Sequence, residues 1–89
     1  MKTFKDLDFQ PHPNMGHAGG VQARIQFDNG YGASIVRSQY TYGGDKGLYE
    51  LAVLDSNGSL TYDTPITNDV IGYLRPEDVT DVMEKIQQL

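Results

Sequence analysis

Apolar and polar residues alternate from Val21 to Phe27, with Val21, Ala23, Ile25 and Phe27 separated by Gln22, Arg24 and Gln26. A period of two belongs to a strand with one buried face. Asn29-Gly30 follows at once. Both residues tolerate positive φ, so the pair predicts a two-residue type I′ hairpin with Asp28 opposite Tyr31. That register sets Phe27 against Gly32, Ile25 against Ser34 and Ala23 against Val36. After the Gly-rich connection Tyr42-Gly43-Gly44-Asp45-Lys46-Gly47, residues 48–56 form the next strand. Asn57-Gly58 repeats the turn signal and predicts Ser56 opposite Ser59, Val53 opposite Tyr62 and Tyr49 opposite Ile66. One face then carries Tyr49, Leu51, Val53, Leu60, Tyr62 and Ile66, which places Tyr62 in the core.

Asp69-Val70-Ile71-Gly72 reads as one helical turn, with Thr67 or Asn68 as its cap and Gly72 as its stop. Beyond it, Pro76 at a first helical position, Glu77 and Asp78 in the first turn, and Val79, Val82, Met83, Ile86 and Leu89 at helical spacing predict a terminal helix with one apolar stripe. Arg75 is a poor residue for the cap position. The stripe has to be buried, and the apolar face of the sheet is the surface on offer. The expected fold class is α+β: a four-stranded antiparallel meander of two hairpins, with the C-terminal helix packed on one face. Residues 21–89 make this single domain. Residues 1–20, rich in Pro, Gly and His, make an N-terminal arm that Phe4, Leu7 and Phe9 can anchor to the core.

Composition narrows the function classes. A chain of 89 residues with 38% hydrophobic residues is one domain's worth, and with no cysteine it has neither disulfides nor thiolate metal sites to staple it. Leu51–Leu54 is the longest apolar run, far short of the ~20 residues of a membrane helix, and Met1–Asp8 is too polar for a secretory signal. The expectation is a protein of a reducing compartment, the cytoplasm, with no membrane partner. Net charge is −5, and residues 48–89 hold eight acids against Arg75 and Lys85. Clustered cations that would neutralise phosphates are lacking, so direct nucleic-acid binding is not expected. An acidic surface suits a basic protein partner or simple solvation.

Candidate chemistry is sparse. His12 and His17, with Asp6 or Asp8, are the only histidine-based metal candidates. They lie five apart on a segment broken by Pro11, Pro13 and Gly16, so no regular element aligns them, and no metal or cofactor is expected. Gly30-Tyr31-Gly32 lacks the third glycine and following helix of a dinucleotide loop, and there is no Gly-Lys-Ser/Thr. No nucleophile constellation is present either. The one pair of carboxylates worth weighing is Glu50 and Asp63, placed by the predicted register on one face about 7–8 Å apart. Acid-base catalysis there needs a cleft that one sheet and one helix hardly provide.

Six tyrosines and no tryptophan point elsewhere. Tyr40 and Tyr42, two apart at a strand end beside the glycines and Asp45, present rings and charge on one surface, and exposed Tyr is enriched at interfaces. Tyr40, Tyr42 and Asp45 are therefore the candidate partner-binding residues. The runs Gly20–Ile25 and Asn29–Arg37, with Tyr42-Gly43-Gly44, Gly47–Leu54 and Tyr62–Gly72, resemble short proteins encoded in phages and prophages. The resemblance covers about residues 20–80. It implies a phage origin and a role in occupying a surface on a host enzyme or defence complex, and it supplies no catalytic residue. The expected function is thus a non-enzymatic, protein-binding phage accessory factor. The alternatives are a small-ligand binder or small enzyme using Glu50, Asp63 and nearby tyrosines, and a minor structural or assembly protein. Residues 21–27, with no proline and only Arg24 charged, offer a sheet edge for pairing with a second copy.

Overall fold

The computed structural model describes residues 1–11, 20–67 and 69–89. Among the described residues, five strands form one antiparallel sheet in chain order: β1 (Gln10–Pro11), β2 (Val21–Gln26), β3 (Gly32–Arg37), β4 (Tyr49–Leu54) and β5 (Ile71–Leu74). The helix α1 (Pro76–Gln87) follows. The architecture is α+β with an antiparallel meander and one C-terminal helix, as the pattern predicts, but the sheet has five strands, not four.

Both hairpins differ from expectation in the same way. Ala23 pairs with Ile35, Ile25 with Ala33 and Gln26 with Gly32, one residue away from the register of a two-residue turn. The loop is Asp28-Asn29-Gly30, closed by hydrogen bonds from Gly30 N to Phe27 O (3.1 Å) and from Phe27 N to Tyr31 O (2.7 Å). Only Gly30 takes positive φ (94°). This is the three-residue hairpin, a type I turn followed by a left-handed glycine, in which Asn need not leave the right-handed region. The second turn repeats it: Gly58 stands at φ 78°, Gly58 N donates to Asp55 O, and Asp55 N donates to Ser59 O. Asp55 stabilises that loop by accepting from Asn57 N and Ser59 N through one carboxylate oxygen. Because side chains alternate faces, the one-residue slip turns β3 over. Ala33 and Ile35 face the core, and Ser34 and Val36 face away.

The expected strand after Asn57-Gly58 is reduced to a single bridge between Leu54 and Leu60 and a bond from Thr61 N to Val53 O (3.0 Å). Thr61, Thr64 and Thr67 then each accept, on Oγ1, the backbone N–H two residues on: Asp63, Ile66 and Asp69. Threonine hydroxyls at every third position take donors that a ladder would use, and Pro65 has none to give. Tyr62 consequently lies not opposite Val53 in the core but at the surface, 46% exposed. The place beside β4 is filled instead by β5, whose Ile71 and Leu74 pair with Leu51 and Tyr49. Residues 71 and 72, expected in a helical turn, are therefore in a strand, and the proposed cap Asn68 lies outside the described residues. Val70 and Ile71 are β-branched and favour a strand; Gly72 is a point of close backbone approach, not a helix stop.

The core sits between sheet and helix. Val79, Met83 and Ile86 are fully buried against Ala33, Ile35, Leu51, Val53 and Leu74. Asp78 compensates for Arg75 at the cap: its carboxylate accepts from Arg75 N (3.0 Å), and from the guanidinium Nε at 3.0 Å. The first residues join the same core. A 3₁₀ turn at Phe4–Asp6 is held to the helix by Phe4 N donating to Thr80 Oγ1 (3.0 Å), and the Phe4 and Phe9 rings pack edge-on and tilted against Tyr49, with centroids 5.2 and 5.4 Å away. β1 takes the outer side of β2 at Val21 and Gln22. Among the described residues, no strand pairs with that side of Ala23–Gln26.

Two outcomes follow for stability. Met83→Ala removes a fully buried side chain and is expected to cost about 2–5 kcal/mol, whereas Tyr62→Ala changes stability by less than about 1 kcal/mol; denaturant midpoints of the two variants compare them directly. The Arg75 guanidinium and backbone N–H hold the Asp78 pKa below the ordinary carboxylate value. A depressed folded-state pKa means that this contribution is complete above the unfolded-state value and lost as pH falls through the folded one. The stability advantage of the native chain over Asp78→Asn should accordingly be present at neutral pH, shrink in acid, and diminish with salt, read from urea midpoints across a pH series.

Candidate functional site

Three large aromatic side chains stand exposed around one end of the sheet: Tyr40 (74%), Tyr42 (60%) and Tyr73 (59%). Their backbones are tightly fixed. The Gly-rich connection from β3 to β4 is a bonded structure. Ser38 is buried; its N–H donates to Thr41 Oγ1 and its carbonyl accepts from that hydroxyl, both at 3.0 Å. Tyr40 N donates to Ser38 Oγ (3.0 Å), and Gly43 O accepts from both Lys46 N and Leu48 N. Gly44 passes so close to Ser38 O that no Cβ could be accommodated.

Tyr42 and Tyr73 interlock across the gap between this connection and β5. Tyr73 N donates to Tyr42 O (3.1 Å), and Tyr42 N donates to Glu50 Oε2 (2.9 Å). A Cβ on Gly72 would lie 2.4 Å from Tyr42 Cβ, and one on Gly43 would lie 2.9 Å from the Tyr73 ring. Each tyrosine thus occupies the space the other's neighbouring glycine leaves. The rings meet at 6.4 Å with a 31° tilt. Tyr73 also has φ 59°, the one positive value outside glycine among the described residues, in a strand whose register shifts between Tyr49 and Leu51. A left-handed conformation costs a residue with a Cβ about 1–2 kcal/mol. Such strain is retained where surrounding contacts enforce it, and it concentrates at binding and catalytic positions.

Beside the tyrosines, the sheet face away from α1 is uncovered over a depression of about 380 Å³. Its floor is two cross-strand rows, Gln22–Val36–Glu50 and Arg24–Ser34–Ala52. Tyr40 and Thr41 stand on one side, with Leu60 and Val70 completing the wall. Ser34 accepts from Gln22 Nε2 (3.0 Å), and the Arg24 guanidinium donates to Gly58 O, tying β2 to the second hairpin turn. A larger depression of about 520 Å³, lined by Lys2, Asp6, Asn29 and Gln87 among others, is less suited to a ligand because much of its polar lining is already paired: Gln87 bonds both Lys2 N and Lys2 O, and Asp6 holds Thr3 N.

The candidates expected from sequence do not all gather here. Tyr40 and Tyr42 are exposed, but the chain turns between them, so Tyr40 lines the depression while Tyr42 pairs with Tyr73. Asp45 is exposed on a 3₁₀ turn, Gly44–Lys46. Glu50 lines the depression; Asp63, in the threonine-rich segment, does not, and Ala52 is opposite Ser34 and not Asp63. His12 and His17 lie outside the described residues, and among the described ones no group of three metal-ligating side chains occurs. Among the described residues no helix is long and apolar enough to cross a membrane. The apolar pattern does not single out Tyr73; its one signal in the sequence is Gly72 beside an aromatic in a β-branched run. No family model, curated protein or solved structure matches the chain.

Tyr73→Gly relieves the left-handed strain while giving up about 0.5–1 kcal/mol of chain entropy, so unfolding free energy should change by less than about 1 kcal/mol. Gly72→Ala, by contrast, drives a Cβ into Tyr42 and is expected to destabilise by about 1–3 kcal/mol. Thermal melts of the two variants give the comparison.

Proposed function

We propose that this protein is a non-enzymatic binding protein that docks a protein partner on Tyr40, Tyr42, Tyr73 and the adjoining uncovered sheet face. The observation that carries the reading is the Tyr42–Tyr73 pair: two rings packed against each other on hydrogen-bonded backbones, one of them at a backbone cost, with most of their surface in water. Rings fixed before binding lose little freedom when a partner covers them, and tyrosines of this kind are typical interface anchors. The acidic balance of the chain favours a partner with a basic surface. The resemblance to phage-encoded proteins supports placing this role in the host cytoplasm, as an accessory factor acting on a host enzyme or defence complex.

Capture from host lysate by the native chain, set against the Tyr42→Ala/Tyr73→Ala double variant, tests this. Native capture with a largely intact melting temperature in the variant, and affinity weakened by about 2 kcal/mol, is the expected result. Equal capture by both proteins, or none above an acidic control protein, would remove the aromatic interface.

A further inference from the structure

The depression beside the tyrosines combines an apolar wall with one carboxylate. Val36, Ala52, Leu60, Val70 and the Tyr40 ring provide the former and Glu50 the latter. Glu50 is half-buried, and one of its oxygens, Oε2, is committed to Tyr42 N; no hydrogen bond is made to Oε1 among the described residues. Arg24, the cation in the same lining, donates to Gly58 O in the turn that follows β4. Glu50 stands near the start of β4 and Gly58 follows its end; Glu50 to Leu54 alone is four residue rises, roughly 13 Å, so the Glu50 end of the depression keeps a negative field. At about 380 Å³ the space is near the lower limit for ligand pockets. It admits a single long side chain more readily than a cofactor.

Resting on the protein-binding reading above, we infer that this depression is a recognition pocket for an arginine side chain presented by the partner. Arginine fits each feature. Its aliphatic stem matches the Leu60, Val70 and Ala52 wall, its guanidinium can pair with a carboxylate that already has one oxygen engaged, and its planar head can stack on a tyrosine ring. The net charge of −5 adds a long-range attraction for the same cation. Glu50 is the residue that converts a general sticky face into one that selects a cation.

The probe is the peptide acetyl-Gly-Arg-Gly-amide, titrated into isotopically labelled full chain and followed by amide chemical shifts, with the citrulline peptide as a neutral control of the same shape. Saturable shifts at Ser34, Ala52, Leu60 and Val70 with arginine, at least tenfold weaker binding of citrulline, and a similar loss in Glu50→Gln are expected, the scale of a charge-assisted hydrogen bond. Gln still accepts from Tyr42 N, so well-dispersed spectra of Glu50→Gln will show that the loss is not unfolding. Equal shifts with citrulline, arginine shifts indifferent to Glu50→Gln, or no shifts at the highest soluble probe concentration would each overturn the inference. A partner whose capture still depends on Tyr42 and Tyr73 would then leave the broader reading standing.

Discussion

One helix cannot close two faces of a sheet, and the rest of this structure depends on that constraint. α1 spans twelve residues, a rod of about 18 Å, and it buries Val79, Met83 and Ile86 on Ile35, Leu51, Val53 and their neighbours, while Val82 is half-buried and Leu89, past the end of the helix, is exposed. The other face must survive in water. It does so by carrying Gln22, Arg24, Ser34 and Glu50 at alternate positions, and by using side-chain hydrogen bonds to tie those residues to one another and to adjoining turns. A face built that way is polar enough to be stable uncovered and structured enough to recognise something.

The tyrosine pair is the counterpart of that arrangement. A bulge in an edge strand is ordinarily a device that discourages further pairing. Here it also re-aims a side chain: the register shift in β5 turns Tyr73 toward Tyr42. The two glycines that permit this, Gly43 and Gly72, lie on elements far apart in sequence and are each shaped by the other's neighbour.

Much of the fold was legible because the burial that drives it recurs at regular spacing. The alternation of Val21–Phe27 located β2, and the stripe from Val79 to Ile86 located the helix and its buried side. What escaped was set by local competition that a pattern of apolar residues does not record. Asn-Gly is compatible with both two- and three-residue loops, and Asp55 accepting from Asn57 and Ser59 supports the longer one; the resulting slip moved Ser34 and Val36 to the uncovered face, hiding the depression from a reading of sequence. The apolar content of Leu60, Tyr62 and Ile66 resembled a strand, while three threonine hydroxyls held the backbone in turns. Tyr40 and Tyr42 were visible as exposed aromatics, but Tyr73 needed the geometry, since no propensity announces a left-handed tyrosine.

Asn29 has a part beyond its turn. Its Oδ1 accepts from Tyr31 N within the hairpin, while its Nδ2 donates to Ile86 O in the last turn of the helix (2.8 Å). One side chain thus completes both a loop between neighbouring strands and the end of an element more than fifty residues later. The β2–β3 hairpin can pair as soon as Arg37 has joined the chain, yet its tip is not finished until Ile86 arrives. Contacts of such sequence separation delay folding relative to local ones, and here they weld an early hairpin to a late helix, so that the order in which the chain is made and the order in which its structure becomes permanent are not the same.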